Sequence, residues 1–315
     1  DDNTILAVAQ AYGEVIKEAA QMDLTHVSPD KIVQQVRDSY PFHPAIKDLY
    51  ARFRENPGFQ QTRGLIRFMR VLVSHLYESD GAKNAMLIHP HMIDLNHSEM
   101  SAEINLINPT LGNAISHDIA SDGNSVAEME DLKRSGSDAQ DICKLILMAS
   151  LANVENSVLG LTTAEIITDI AAPKRDLTTL PDMITTLESQ LCWYLHRANN
   201  GKIYFKNTEN LVARLRSLAE SYGREAALKD VKEFLQAIFV PEKKDCYQEF
   251  QILPAVDEIS ISQDKVKLVL YEPFGGDLHP HLKEFYDALD YKNRVCFLSG
   301  QRDTMNNLIS VGKEY

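Results

Sequence analysis

The stretch from Ser39 to Leu76, SYPFHPAIKDLYARFRENPGFQQTRGLIRFMRVLVSHL, most constrains the fold of this chain. After Pro44, the residues Ile46, Leu49, Tyr50 and Phe53 fall at the spacing of a helix with one apolar face. Asn56-Pro57-Gly58 ends that helix, because proline lacks the N–H that would continue the ladder and the triplet favours a turn. A second helix is predicted from near Thr62, a residue type suited to the N-cap. Its apolar face is Leu65, Ile66, Met69, Leu72, Val73 and Leu76. The stretch is therefore two amphipathic helices joined by a polar turn.

Arg63, Arg67 and Arg70 share the second helix and follow one of its edges. Arg63 falls in the first turn, where the helix dipole opposes a cation and stability alone would favour Asp or Glu. Either an anion or a carboxylate from elsewhere answers this charge, or the arginines are salt-bridged or solvent-facing residues without a ligand. Periodicity and charge leave both readings open.

The string FHPAIKDLYARF…FQQTRGLIRFMRVLV resembles the lid region of the large AAA+-like ATPases of bacterial phage-defence islands. These are the BREX-type ATPases of the PglY/BrxC group and their relatives of unknown function. The resemblance is strongest over Ser39–Leu76 and weaker towards the C-terminus. It implies that Thr62-Arg63-Gly64-x-x-Arg67 stands where AAA+ proteins carry their second sensor, a lid arginine that reaches the nucleotide phosphates. Arg63 is then the candidate phosphate contact, with Arg67 a helper or a salt-bridge partner within the lid. The resemblance further implies ATP and Mg²⁺ for the parent protein, a phosphate-loop module of the same polypeptide as partner, and a role in phage defence alongside other defence proteins.

The chain itself has no Gly-x-x-x-x-Gly-Lys-Ser/Thr string; Gly201-Lys202 and Gly312-Lys313 lack both the upstream glycine and the following hydroxyl residue. Nor does a hydrophobic strand end in paired acids. No ATP hydrolysis is expected from this chain alone, and no cofactor of its own. No nucleophile–base pair, paired carboxylates or complete metal set points to another enzyme. Both ends run into helical patterns, as expected of a piece of a longer polypeptide.

Composition narrows the partners. The 315 residues, 44% hydrophobic and 24% charged, suit two or three globular domains. No run of eighteen apolar residues would cross a membrane, and no signal peptide opens the chain. Cys143, Cys192, Cys246 and Cys296 lack CxxC spacing and read as reduced core thiols of a cytoplasmic protein. A net charge of −13 weighs against sequence-independent nucleic-acid binding, which depends on neutralising phosphates.

Taken in order, the chain is expected to be mostly α. Residues 1–80 form a helical, lid-like bundle, with a helix to about Leu24, another opened by Ser28-Pro29, and the two already described. Residues 81–157 form a helical linker region. His89, His91 and His97 lie close in sequence but lack a Cys or carboxylate to complete a metal set, and read as packing or surface histidines, as do His279 and His281. Ser121–Ser137 reads as a mobile acidic loop with one short helical piece, and Asp138–Ala152 as a buried helix.

Residues 158–240 contain helix, helix and a hairpin turned by Asn199-Asn200-Gly201, which is the winged-helix order. Its longer helix, about 180–195, offers Asp182 and Glu188 but no cation before the wing, whose cations are Arg197, Lys202 and Lys206. A packing or partner module is the simpler reading, and DNA binding through those three cations is the alternative. Two further helices precede residues 241–315, where strands at 249–253 and 265–271 are followed by a helix at 280–289, a strand at 294–299 and a helix at 303–313, the β-α-β-α order of a parallel sheet. Gly275-Gly276 and the turn in Phe297–Arg302 sit where such sheets hold ligands, though loop geometry explains both. The expected function is that of a lid and C-terminal region coupling nucleotide state to partners.

Overall fold

A computed structural model describes residues 2–79, 83, 85–154, 157–273, 279–301 and 304–314. It is mostly helical, 59% helix against 7% strand, with a small α/β part at the C-terminal end, which is the class expected from the sequence. The chain divides into two compact units, Asp1–Arg214 and Leu215–Tyr315.

The first unit opens with α1 (Asp2–Gln21) and α2 (Pro29–Ser39). They pack closely at Gly13, where an added Cβ would come within 2.6 Å of Val33 Cγ2. The opening stretch supplies α3 (Ala45–Phe53) and α4 (Gln61–Glu78), broken where Asn56-Pro57-Gly58 requires it. The start of α4 differs from expectation. Thr62 lies inside the helix, and the N-cap position is Gln60, left-handed at φ 62°, followed by Gln61 at φ 47°. Two left-handed residues in succession turn the chain sharply enough that Phe59 is buried before α4 begins.

Next come α5 (Ser98–Ile107), α6 (Gly112–Ala114) running into a π-helical turn at Ile115–Ile119, and α7 (Val126–Arg134). The segment read as a mobile acidic loop is instead packed structure. Ser125 and Glu128 form a capping box on α7, and Glu128 also accepts from Ser121 N–H and Asn96. The buried Asp131 accepts the N–H groups of Ala139 and Gln140, capping the next helix. Acidic residues suggested solvent, but here they serve as acceptors for orphan helix N–H groups.

That next helix, α8 (Asp138–Ser150), is the axis of the unit, buried continuously from Leu145 to Ser150 as its apolar sequence predicts. Around it lie α3, α7, α9 (Thr163–Ile170), α10 (Leu180–Thr186) and β2 (Ile203–Phe205). A π-helical turn, Leu187–Leu191, extends α10 towards β1 (Leu195–Arg197), which pairs antiparallel with β2. Leu161 bridges to Ile203, adding a third short edge to the hairpin.

One core runs from Ala9 to Phe205, so the boundaries read at 80 and 157 do not separate cores. Asn56 ties its loops together. Its Nδ2 donates to Ile107 O (3.0 Å) and Leu151 O (2.7 Å), and its Oδ1 accepts from Asn153 N–H (3.0 Å). Asn56→Ala should leave the buried Ile107 carbonyl without this donor, leave Leu151 O with Asn108 Nδ2 alone, and cost about 3 kcal/mol, a fall in melting temperature of about 10 °C for a unit of this size. Thermal melts of the two proteins check this.

The second unit carries most of α11 (Leu211–Ser221), then α12 (Arg224–Phe239), β3 (Glu249–Ile252), β4 (Lys267–Leu270), α13 (Pro280–Asp287), β5 (Val295–Leu298) and α14 (Thr304–Glu314). The three strands are parallel in the order β3-β4-β5, with the buried β4 central. Leu282 of α13 packs on Val269, while α12 and α14 meet through Ala227, Met305 and Ile309. Gly275-Gly276 and Arg302 lie outside the described residues. Cys143 and Cys192 are buried free thiols as expected, but Cys246 and Cys296 are exposed. Cys246 sits in an irregular segment before β3, and Cys296 alternates outward on β5.

Candidate functional site

The arginine edge of α4 forms a shallow depression of about 470 Å³ lined by Gln60, Arg63, Ile66, Arg67 and Arg70. Three features of the sequence place it. Gly64 lets the Phe59 carbonyl fold over the helix, so the first turn is held tightly from behind. The N-cap Gln60 gives no side-chain cap, and the first turn contains no acid. Arg63 and Arg70, seven residues apart, point along the same edge about 10 Å from each other.

The three arginines are not equivalent. Arg67 Nε lies 2.6 Å from Glu103 Oε1 and 2.8 Å from Oε2, a pair that joins α4 to α5 with the carboxylate almost covered. Arg67 is thus a salt-bridge partner within the fold, yet its Nη2 is buried without a hydrogen-bond partner among the described residues. Arg63 and Arg70 are exposed, and among the described residues neither has a carboxylate within ion-pair distance. The row therefore has two free guanidinium groups and a third fixed by Glu103, beside an uncapped helix start. Chemically it suits an oxyanion with several oxygens.

The wing cations are arranged differently. Arg197 forms a two-pronged ion pair with Glu188, and Lys202 Nζ lies 3.6 Å from Glu165 Oε2. Only Lys206 is exposed and without an ion pair among the described residues. Two of the three residues that would grip a phosphate backbone are held by acids of the same unit.

Two histidines of the linker region, His89 and His91, lie in the core beside His43. His43, His89 and His91 are buried, with ring centroids 4.4 Å apart for His43–His89 and 4.9 Å for His89–His91. Tyr12 Oη donates to His89 Nε2 (2.7 Å), and His89 Nδ1 donates to Asp169 O (3.1 Å), which fixes the neutral tautomer. Burial pushes the His89 pKa down to about 4 and those of His43 and His91 well below the usual value. His97 packs on His75, which lies 3.1 Å from Asp94. Among the described residues no group of three or more His, Cys, Asp or Glu is placed to hold a metal ion. The aromatic stack was not legible in sequence, because Tyr12 and His43 reach His89 from elements far apart in the chain. The spacing His89-Pro90-His91 was its only local signal.

Among the described residues no helix is long and apolar enough to cross a membrane. Residues 11–179 match the family described as the DUF499 second domain. No curated protein and no solved structure matches the chain.

Proposed function

The chain belongs to the family of DUF499 second domains, and on that premise we propose that it is the lid and C-terminal region of a AAA+-like ATPase, closing over ATP held by a phosphate-loop module outside this chain. The family's association with large ATPase-like proteins supports the reading. One observation carries it: among the described residues Arg63 stands without an acid at an uncapped helix start, with Arg70 likewise unpaired about 10 Å further along the same edge and the orphan Nη2 of Arg67 between them. Donors left unpaired along one edge fit the oxygens of a polyphosphate.

In this reading Arg63 contacts the phosphates, Arg70 extends the positive field, and Arg67 holds α4 against α5 through Glu103 while offering Nη2. Among the described residues no carboxylate lines the depression, and in this reading Mg²⁺ would be held by the phosphate-loop module. Closing the lid would couple nucleotide state to the winged-helix-like hairpin, which shares one core with α4. A defence role of the BREX type, with the other defence proteins as partners and a cytoplasmic location, is part of the same proposal. The pairing of Arg197 and Lys202 with acids favours a packing or partner role for the wing over DNA binding.

Arg63→Ala in the polypeptide that joins this chain to its ATP-binding module should lower turnover about a hundredfold, as for the loss of one preorganised donor to a transferring group. Salt-sensitive DNA binding by the chain with unchanged turnover would oppose this reading.

A further inference from the structure

Away from the arginine edge, a cavity of about 320 Å³ opens between α1, the segment around residues 85–92, α8 and the turn after α9. Its volume lies at the lower end for small-molecule sites. Tyr12, His89, His91, Asp141, Lys174 and Arg175 supply its polar wall, and Leu87, Met92 and Pro173 are among its apolar residues.

Two side chains there are left incomplete. Arg175 gives Nη2 to Asp138 (2.5 Å) and Nη1 to Asp141 (2.9 Å), which fixes its guanidinium and leaves a buried Nε without a partner among the described residues. His91 is 5% exposed; its Nδ1 is likewise unpartnered, and its Nε2 lies 4.0 Å from Asp141, too far for a hydrogen bond. A buried donor such as Arg175 Nε without an acceptor costs about 1–3 kcal/mol unless something supplies the oxygen. The acid in the wall does not supply it, because Asp141 is already held by Arg175 and Ser137. Arg175 Nε is a donor in surplus, and His91 Nδ1 can donate or accept according to its tautomer.

The mouth of the cavity points the same way. Ala172-Pro173-Lys174-Arg175 is a tight turn closed by Arg175 N–H to Ala172 O (3.1 Å), with Lys174 at φ 74°. That position in such a turn favours glycine, and a lysine held there carries backbone strain. A cation occupies the strained place, exposed at the rim and without an ion pair among the described residues. Lys144 adds a further positive charge near His91 and Asp141.

We propose that this cavity binds a small organic oxyanion, a phosphate monoester or a carboxylate, with its charged head between Arg175 Nε, His91 and Lys174 and its carbon body against Leu87 and Met92. The site is independent of the arginine edge and of the lid reading.

Calorimetric titration of the 315-residue chain with glycerol 3-phosphate, inorganic phosphate and succinate tests it. Saturable binding with a dissociation constant of about 1 mM or tighter is expected for at least one probe, and which probe binds separates phosphate from carboxylate sources. Lys174→Gly should weaken binding about tenfold, the value of one charge-assisted contact, while the protein melts at the same or a higher temperature because the strain is relieved. A loss of folding therefore cannot explain that result. Ala172→Leu, which fills the mouth, should abolish binding at this site. No saturable binding by any probe up to about 10 mM overturns the proposal. So does binding that survives Lys174→Gly and Ala172→Leu undiminished, or that disappears in Arg63→Ala, which assigns the anion to α4.

Discussion

Replacing Gly64 with alanine is expected to destabilise the first unit by about 3 kcal/mol or more, lowering its melting temperature by about 10 °C. An added Cβ would stand 1.8 Å from the Phe59 carbonyl oxygen and 3.0 Å from its ring. The obstacle is backbone, held by the buried Phe59 side chain and by two left-handed residues, so it cannot swing aside as a surface side chain would. Relief requires the turn to lift off α4, exposing Phe59, which packs edge-on against Phe53 at 5.3 Å. The same movement would shift the first turn and Arg63 with it. A melting temperature unchanged in Gly64→Ala would show that the turn is not held as described.

Acid should destabilise the unit well before its ordinary carboxylates titrate. In the unfolded chain His43, His89 and His91 take up protons near pH 6.5, whereas burial keeps the folded His89 neutral to about pH 4 and the other two neutral to low pH. The unfolded state then binds more protons, so stability falls as pH drops from 6.5 towards 4, by about 3 kcal/mol for His89 alone. Asp169 works in the opposite direction. Burial, with Glu165 and Asp48 nearby, raises its pKa to about 7, so the folded state takes up a proton as pH falls from 7 and gains stability. Burial also raises Asp131 and Asp141, which act in the same direction as Asp169, but Asp169 is the one raised as far as about 7, and between pH 6.5 and 5 the net slope follows the three imidazoles. Urea midpoints at pH 7 and pH 5 should differ clearly, and the difference should shrink in His43→Phe, which keeps the stack but removes one titrating ring. Equal midpoints at the two pH values would sink this account of the histidine core.

Local pattern was legible where the physics is local. The break at Asn56-Pro57-Gly58, the starts of α2 and α3, the Asn-Gly hairpin and the parallel pairing of the C-terminal strands follow from turn chemistry and hydrophobic period. What remained hidden depends on contacts distant in sequence. Asp131 looked like loop acidity because its partners, Ala139 and Gln140, belong to another helix. Glu103 gave no sign that it would claim Arg67, and Glu188 and Glu165 none that they would hold the wing cations. Of the arginine row, the position of Arg63 against the dipole was readable, while the division into one tied and two free guanidinium groups needed the fold.

The most direct measurement is paired: ATP turnover and melting temperature for Arg63→Ala and Arg67→Ala in the polypeptide that joins this chain to its phosphate-loop module. Arg63→Ala is expected to lose turnover about a hundredfold with its melting temperature unchanged, since among the described residues no carboxylate pairs with it. Arg67→Ala should melt lower, because the covered Glu103 loses its partner at a cost of about 2 kcal/mol. Unchanged turnover in a folded Arg63→Ala protein would contradict the phosphate contact and leave the arginine edge a solvated face.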